Sequence, residues 1–353
     1  MRTADRAIIV ASLLLVAASA CSGCDQLDGR SRNRKGNTAF RESHFVDAVA
    51  QYQKALTEVD EPTVHYNLGL SYSKVFKPGD EGDVLIDQAG SLPCQVIPKV
   101  KTVSKQVCVK DGDHTYQSCD AKSVCASSFQ CKTVDLCALD NAELANLAAD
   151  NFAIWLKANP KDTETRALMT QVWIDSSQYK KALDFWGALA KDKPNDPEIM
   201  GALAGINLKA NDWRTSIEWY LKLAGVATDP SAKVAAYQFI GNVAWSKLNS
   251  KTLTRDESVE LADRGIGALQ HAAALQPDNP KPVGLAASIS NFRALAQGPA
   301  WSASIDRAAA QDLQQQSRVL REKAKAAAGT PAPAPAPSPG AATDTSNPAK
   351  TGG

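Results

Sequence analysis

Small residues recur along this chain at a spacing suited to stacked helical hairpins. Gly36 is followed twelve residues later by Ala48, then by Tyr52 after four more and Ala55 after three. Thr170, Ala182, Trp186 and Leu189 repeat those intervals, and so do Ala204, Ser216, Tyr220 and Leu223. Two helices pack closely where one offers a small side chain and the other a large one to fill the gap. An aromatic stands nine residues after each lead residue, at Phe45, Tyr179 and Trp213, where the chain turns between helices. Pro160, Pro194 and Pro277 close second helices, because proline lacks the backbone donor and clashes with the preceding turn. Asn159, Asp162, Asn195 and Asp196 supply turn and capping chemistry beside them.

Asn67-Leu68-Gly69-Leu70-Ser71-Tyr72 and the segment Tyr179 to Trp186 carry the first-helix and second-helix signatures of one family. On these motifs the chain resembles tetratricopeptide repeat (TPR) proteins, built from helix–turn–helix units of about 34 residues. About six units span residues 30–325. The resemblance implies an all-α fold, a TPR helical-hairpin solenoid wound as a right-handed superhelix. It also implies a groove lined by first helices that holds a peptide or helix of another protein. Asn37, Arg41, Tyr66, Asn67 and Lys74 are the groove candidates. Asn37 and Asn67 match the two asparagines of the family's peptide-carboxylate clamp. Asn33, Glu164 and Leu168 stand where that clamp carries basic residues.

Two units are stretched. The partner of Gly69 comes at Ala148, with Phe152, Trp155 and Pro160 behind it, a gap of 79 rather than twelve. The excess of 67 residues is an insert within the second repeat. Gly241 pairs with Gly265, Leu269 and Ala272, an excess of twelve that reads as a longer loop over residues 249–257.

The insert holds six of the eight cysteines: Cys94, Cys108, Cys119, Cys125, Cys131 and Cys137. An even count in an exported chain implies three disulfides, with 15 possible connectivities. Zinc is the rival reading, although Cys-x2-Cys knuckles are missing and His114 is the one nearby histidine. Asp111-Gly112 between β-prone runs at 106–110 and 113–117 predicts a β-hairpin with a two-residue turn. So small a module has little core of its own and needs cross-links.

Arg2 and Arg6, the apolar run Ala7 to Val16, and Ala18-Ser19-Ala20 before Cys21 read as a secretory signal peptide. Ala18-Ser19-Ala20-Cys21 also resembles a bacterial lipoprotein box, which implies acylation of Cys21, with Cys24 as the alternative acceptor. Ser22 after Cys21 implies export to the periplasmic side of the outer membrane. Simple cleavage after Ala20, giving a soluble periplasmic or secreted protein, is the other reading. Residues 331–339 alternate proline with alanine or serine and predict an unpacked polyproline tail.

Lys plus Arg is 39 and Asp plus Glu is 38, for a net charge of +1, which offers no basic field for nucleic acid. HExxH, GxSxG and GxxxxGK[ST] do not occur, and Gly265-Ile266-Gly267 falls where the repeat itself asks for small residues. No enzyme, cofactor or catalytic residue is expected. The segments are then a signal peptide (1–20), a lipid-anchor linker (21–32) and N-terminal TPR helices (33–76). The Cys-rich insert (77–140), the TPR array with its capping helix (141–328) and the Ala/Pro-rich tail (329–353) follow. The expected function is a lipid-anchored scaffold for assembly of a bacterial envelope complex, with envelope proteins or peptides as partners. The alternative makes the insert the functional module, through recognition, redox chemistry or metal binding, with the TPR array as its support.

Overall fold

The computed structural model describes residues 27–329 except 114, 121, 299 and 300. The signal peptide, Cys21, Cys24, His114 and residues 330–353 lie outside the described residues. The chain divides into two compact units, Met1–Asp212 and Trp213–Gly353.

In the first unit, residues 27–41 form helix α1. It is followed by α2 (Phe45–Leu56), α3 (Pro62–Val75), the insert, α5 (Asn141–Ala158), α6 (Thr163–Asp175), α7 (Tyr179–Asp192) and α8 (Pro197–Lys209). Helix α1 already covers residues 27–32, which correct the linker expected there. Those residues are held by packing: Gly29 backs onto Val59, and Arg32 pairs with Asp28 at 3.4 Å and Glu58 at 3.3 Å.

The spacing seen in the sequence is the packing seen in the fold. A Cβ added at Gly36 would sit 2.5 Å from the Tyr52 ring, and one at Gly69 would sit 2.8 Å from the Phe152 ring. In the third hairpin, Trp186 Nε1 donates to Thr170 Oγ1 at 2.8 Å. In each case the small lead residue meets the large residue sixteen repeat positions later.

One shared turn confirms the repeat independently. Ser43, Ser177 and Asn211 all adopt positive φ (65°, 58° and 68°). In each turn that residue's N–H bonds the carbonyl three back, and the next N–H bonds the carbonyl five back, as at Ser43→Phe40 and His44→Ala39. This is the Schellman pattern, which satisfies the last carbonyls of the first helix and reverses the chain within three residues. Its sequence signal is a small polar residue seven places after the lead.

Asp162 shows how a second helix hands over to the next first helix. Its carboxylate accepts from the Thr165 N–H at 3.0 Å, the Thr165 hydroxyl at 2.8 Å and Trp155 Nε1 at 2.7 Å. These bonds, the Thr165 amide first, hold the Asp162 carboxyl below its usual range. Its stabilising contribution is therefore full above an unfolded-state pKa of about 3.9 and lost as pH falls through the lower folded value. Asp162→Ala should cost about 0.5–2 kcal/mol in denaturant unfolding at neutral pH. That difference should shrink in acid; a difference independent of pH down to pH 2 would refute the assignment.

The insert is a four-stranded antiparallel sheet in the order β1-β4-β2-β3, more than the single hairpin expected. Its elements are β1 (Asp83–Gln88), helix α4 (Leu92–Val96), β2 (Lys101–Val109), β3 (Gln117–Ser118) and β4 (Gln130–Asp140). β2 pairs with β4 along its whole length, while β2 and β3 share only Val107–Ser118 and Cys108–Gln117. The expected two-residue hairpin turn is thus corrected. Asp111-Gly112 does make a turn, with Asp113 N–H on the Lys110 carbonyl and Gly112 at φ 78°, but pairing resumes only at Gln117. Asp113 redirects the intervening chain by accepting from the Thr115 N–H and hydroxyl.

The insert does not fold around a core of its own. Val84, Ile86, Ile97, Cys137 and Leu139 belong to the same buried cluster as Leu68, Tyr72, Phe152 and Met169. Asn141, 2% exposed, ties its two roots together. The Asn141 side chain accepts from Lys77 N–H and donates to the carbonyls of Lys77 and Asp80, and its own N–H bonds the Gly82 carbonyl.

The second unit contains α9 (Trp213–Val226), α10 (Pro230–Ser250), α11 (Arg255–Leu275), α12 (Pro280–Gln297) and α13 (Trp301–Gly329). The twelve extra residues after Gly241 lengthen the helices and do not form the expected long loop. α10 runs to Ser250 and α11 starts at Arg255 behind a reciprocal Thr254–Glu257 capping box. Gly241 still meets Leu269, at 2.7 Å for an added Cβ, and Gly265 meets Ala244 at 2.5 Å. Trp213 is buried, whereas Trp245 and Trp301 are 43% and 78% exposed.

Candidate functional site

Three of the five groove candidates come together. Asn37 and Arg41 project from α1 and Asn67 from α3, and with Phe40, Tyr52 and Leu70 they line a pocket of about 290 Å³. Asn37 Oδ1 accepts from the Tyr52 hydroxyl at 2.6 Å and from Asn67 Nδ2 at 3.2 Å. Those two bonds fix the Asn37 amide so that its own N–H donors remain for a ligand. Burial pushes the Tyr52 phenol up to about 12, against the opposing Arg41 charge, so it stays a donor at every physiological pH. Arg41 is exposed and forms no ion pair among the described residues. A guanidinium beside an oriented amide suits a carboxylate or a peptide backbone.

Tyr66 and Lys74 lie elsewhere. Tyr66 packs against Trp155 and Phe152, with ring centroids 5.1 Å and 6.3 Å away, so it is part of the hairpin packing. Lys74 borders a larger cleft of about 840 Å³ between the first turn and the insert. Phe45, Val46, Val84 and Tyr116 give that cleft apolar wall, and Lys77 and Lys110 add charge. Tyr116 donates to Asp87 Oδ1 at 2.9 Å, joining the β2–β3 loop to β1 and curling the sheet. Burial, then the Asp87 bond, pushes the Tyr116 phenol far up. Tyr116 and Asp87 carried no motif, and only the curl of the sheet brings them together.

All six insert cysteines are paired: Cys94–Cys137, Cys108–Cys125 and Cys119–Cys131. Three disulfides suit an oxidising compartment. Among the described residues, no helix is long and apolar enough to cross a membrane.

No protein-family model matches the chain, and no curated protein matches it. Among solved structures, it is similar to one titled "Crystal structure of MamA protein", at a TM-score of 0.35 and 15% identity over 54% of this chain and 91% of that one. So distant a likeness carries no argument. The TPR-like character of the hairpins rests on the chain's own spacing, small-on-large contacts and shared turns.

Proposed function

We propose that the protein is an exported, lipid-anchored scaffold of the bacterial envelope that acts by binding a segment of another protein and not by catalysis. The observation that carries this reading is the pocket of Asn37, Arg41 and Asn67, in which an oriented amide and an exposed guanidinium on α1, in no ion pair among the described residues, face Asn67 on α3. The three disulfides support export, and the lipoprotein-like box at Cys21, or Cys24, supports an anchor at the outer membrane. The cleft beside Lys74 gives the insert a share in recognition.

Crosslinking in intact cells, followed by affinity isolation, tests the scaffold. A reproducible envelope protein should be recovered, and Arg41→Glu should lower that recovery at least tenfold, about 1.4 kcal/mol. Because Arg41 is exposed, its replacement should move unfolding stability by no more than about 0.5 kcal/mol. Recovery unaffected by Arg41→Glu would remove the groove from the mechanism, and no reproducible partner would sink the scaffold. Fatty-acid labelling absent from the native protein, or retained when Cys21 and Cys24 are both replaced by alanine, would defeat the anchor.

A further inference from the structure

Four of the six insert cysteines gather at one end of the sheet, outside the core it shares with the helices. Cys108 in β2 stands directly opposite Cys131 in β4, Cys119 follows β3, and Cys125 sits in the loop between β3 and β4. The sulfurs of Cys108, Cys119 and Cys125 lie within 4.8 Å of one another, and Cys131 is bonded to Cys119. Around them there is almost no apolar interior: residues 122–133 are exposed or half-buried, and Val107 is the main buried neighbour in chain. The two disulfides therefore do the work a core would do. In small lobes of this kind a structural metal is the other device that serves.

We propose that, when reduced by a dithiol, Cys108, Cys119, Cys125 and Cys131 form a tetrathiolate site for one thiophilic divalent cation of the zinc class. The lobe then has two interchangeable cross-links, selected by redox state. Tetrahedral zinc at about 2.3 Å from each thiolate sets sulfurs about 3.8 Å apart, so on reduction the sulfurs of each bonded pair move apart while those of the Cys108, Cys119 and Cys125 group that lie up to 4.8 Å apart draw in by about 1 Å. Cys131 is exposed and Cys125 half-buried, which leaves one sulfur of each disulfide open to attack. A thiolate of the dithiol attacks that sulfur and breaks the cystine bond, and the second thiol resolves the mixed disulfide. Each dithiol leaves as its own disulfide, having given two electrons, and two cysteines gain those electrons and two protons. Two dithiols yield four thiols. Binding of the dication then releases four protons to solvent and moves no electrons. Cys94–Cys137 takes no part, because Cys137 lies within the shared helical core.

The test uses the full chain, reduced with dithiothreitol, desalted without oxygen and titrated with Co²⁺ and then Zn²⁺. One Co²⁺ per chain should bind with a thiolate charge-transfer band and be displaced by Zn²⁺, while the oxidised protein takes up none. Zinc should slow alkylation of Cys108, Cys119, Cys125 and Cys131 at least tenfold and leave the rates at Cys94 and Cys137 unchanged. No uptake by the reduced protein would overturn the proposal. So would protection falling equally on all six cysteines, which is what an unfolded chain would give, or uptake retained by Cys108→Ser/Cys125→Ser.

Discussion

Phe152→Ala is expected to destabilise the first unit by about 3–5 kcal/mol, read as a fall in the free energy of denaturant unfolding. The Phe152 side chain is fully buried, and its ring fills the space that Gly69 leaves open. Those two residues are 83 positions apart in sequence, because the insert separates α3 from α5. Their contact is what closes the second hairpin across that insert, so truncation removes both buried area and the link between the two ends. A coupled measurement makes this specific. Gly69→Ala places a Cβ 2.8 Å from the Phe152 ring and 3.2 Å from the Ala148 carbonyl oxygen. It should therefore cost more in the parent protein than in the Phe152→Ala background. Equal costs in both would show that the ring does not rest on Gly69.

The second large effect lies in the other unit. Arg293 on α12 donates to both oxygens of Asp306 on α13, at 3.0 Å and 2.5 Å, and also to Asp263 on α11. Asp306 is only 3% exposed. Arg293→Met leaves that carboxylate buried without its partner, and such a loss costs about 3–5 kcal/mol. Replacing both ends, as in Arg293→Met/Asp306→Leu, removes the buried charge along with its partner. The double variant should recover most of the stability, because a buried ion pair and an apolar pair of similar volume are often near parity. A double variant as unstable as the single one would mean that packing of the Arg293 stem, and not charge, governs the site.

The helical hairpins were legible because each depends on residues close in sequence. A small residue, a turn and a large residue sixteen places on define one contact, and that contact survives at Gly36, Gly69, Thr170 and Gly241. Even the 67-residue interruption could be located, since the pattern resumes at Ala148. The involvement of six cysteines in disulfides was legible from their number. Their pairing was not, because Cys94 reaches Cys137 only through the fold of α4 against the sheet. The groove was half-legible. Asn37 and Arg41 on α1 and Asn67 on α3 line one pocket. Tyr66 is also on α3, yet the neighbouring aromatic Trp155 draws it into the packing. The extra residues after Gly241 read as a loop by spacing, whereas helix propensity and the Thr254–Glu257 box extended the helices instead.

The amino-acid sequence by itself determined the hairpin unit, its repetition, the position of the insert and the cysteines that staple it. Those properties follow from short-range periodicity, which backbone geometry converts directly into helix faces and turns. Only the tertiary structure decided that the insert shares its core with the helices, that Asn141 ties its roots together, and that four cysteines crowd at its outer end. Each of those arises where strands distant in sequence are brought into register, and register depends on the summed burial of whole faces rather than on any local motif.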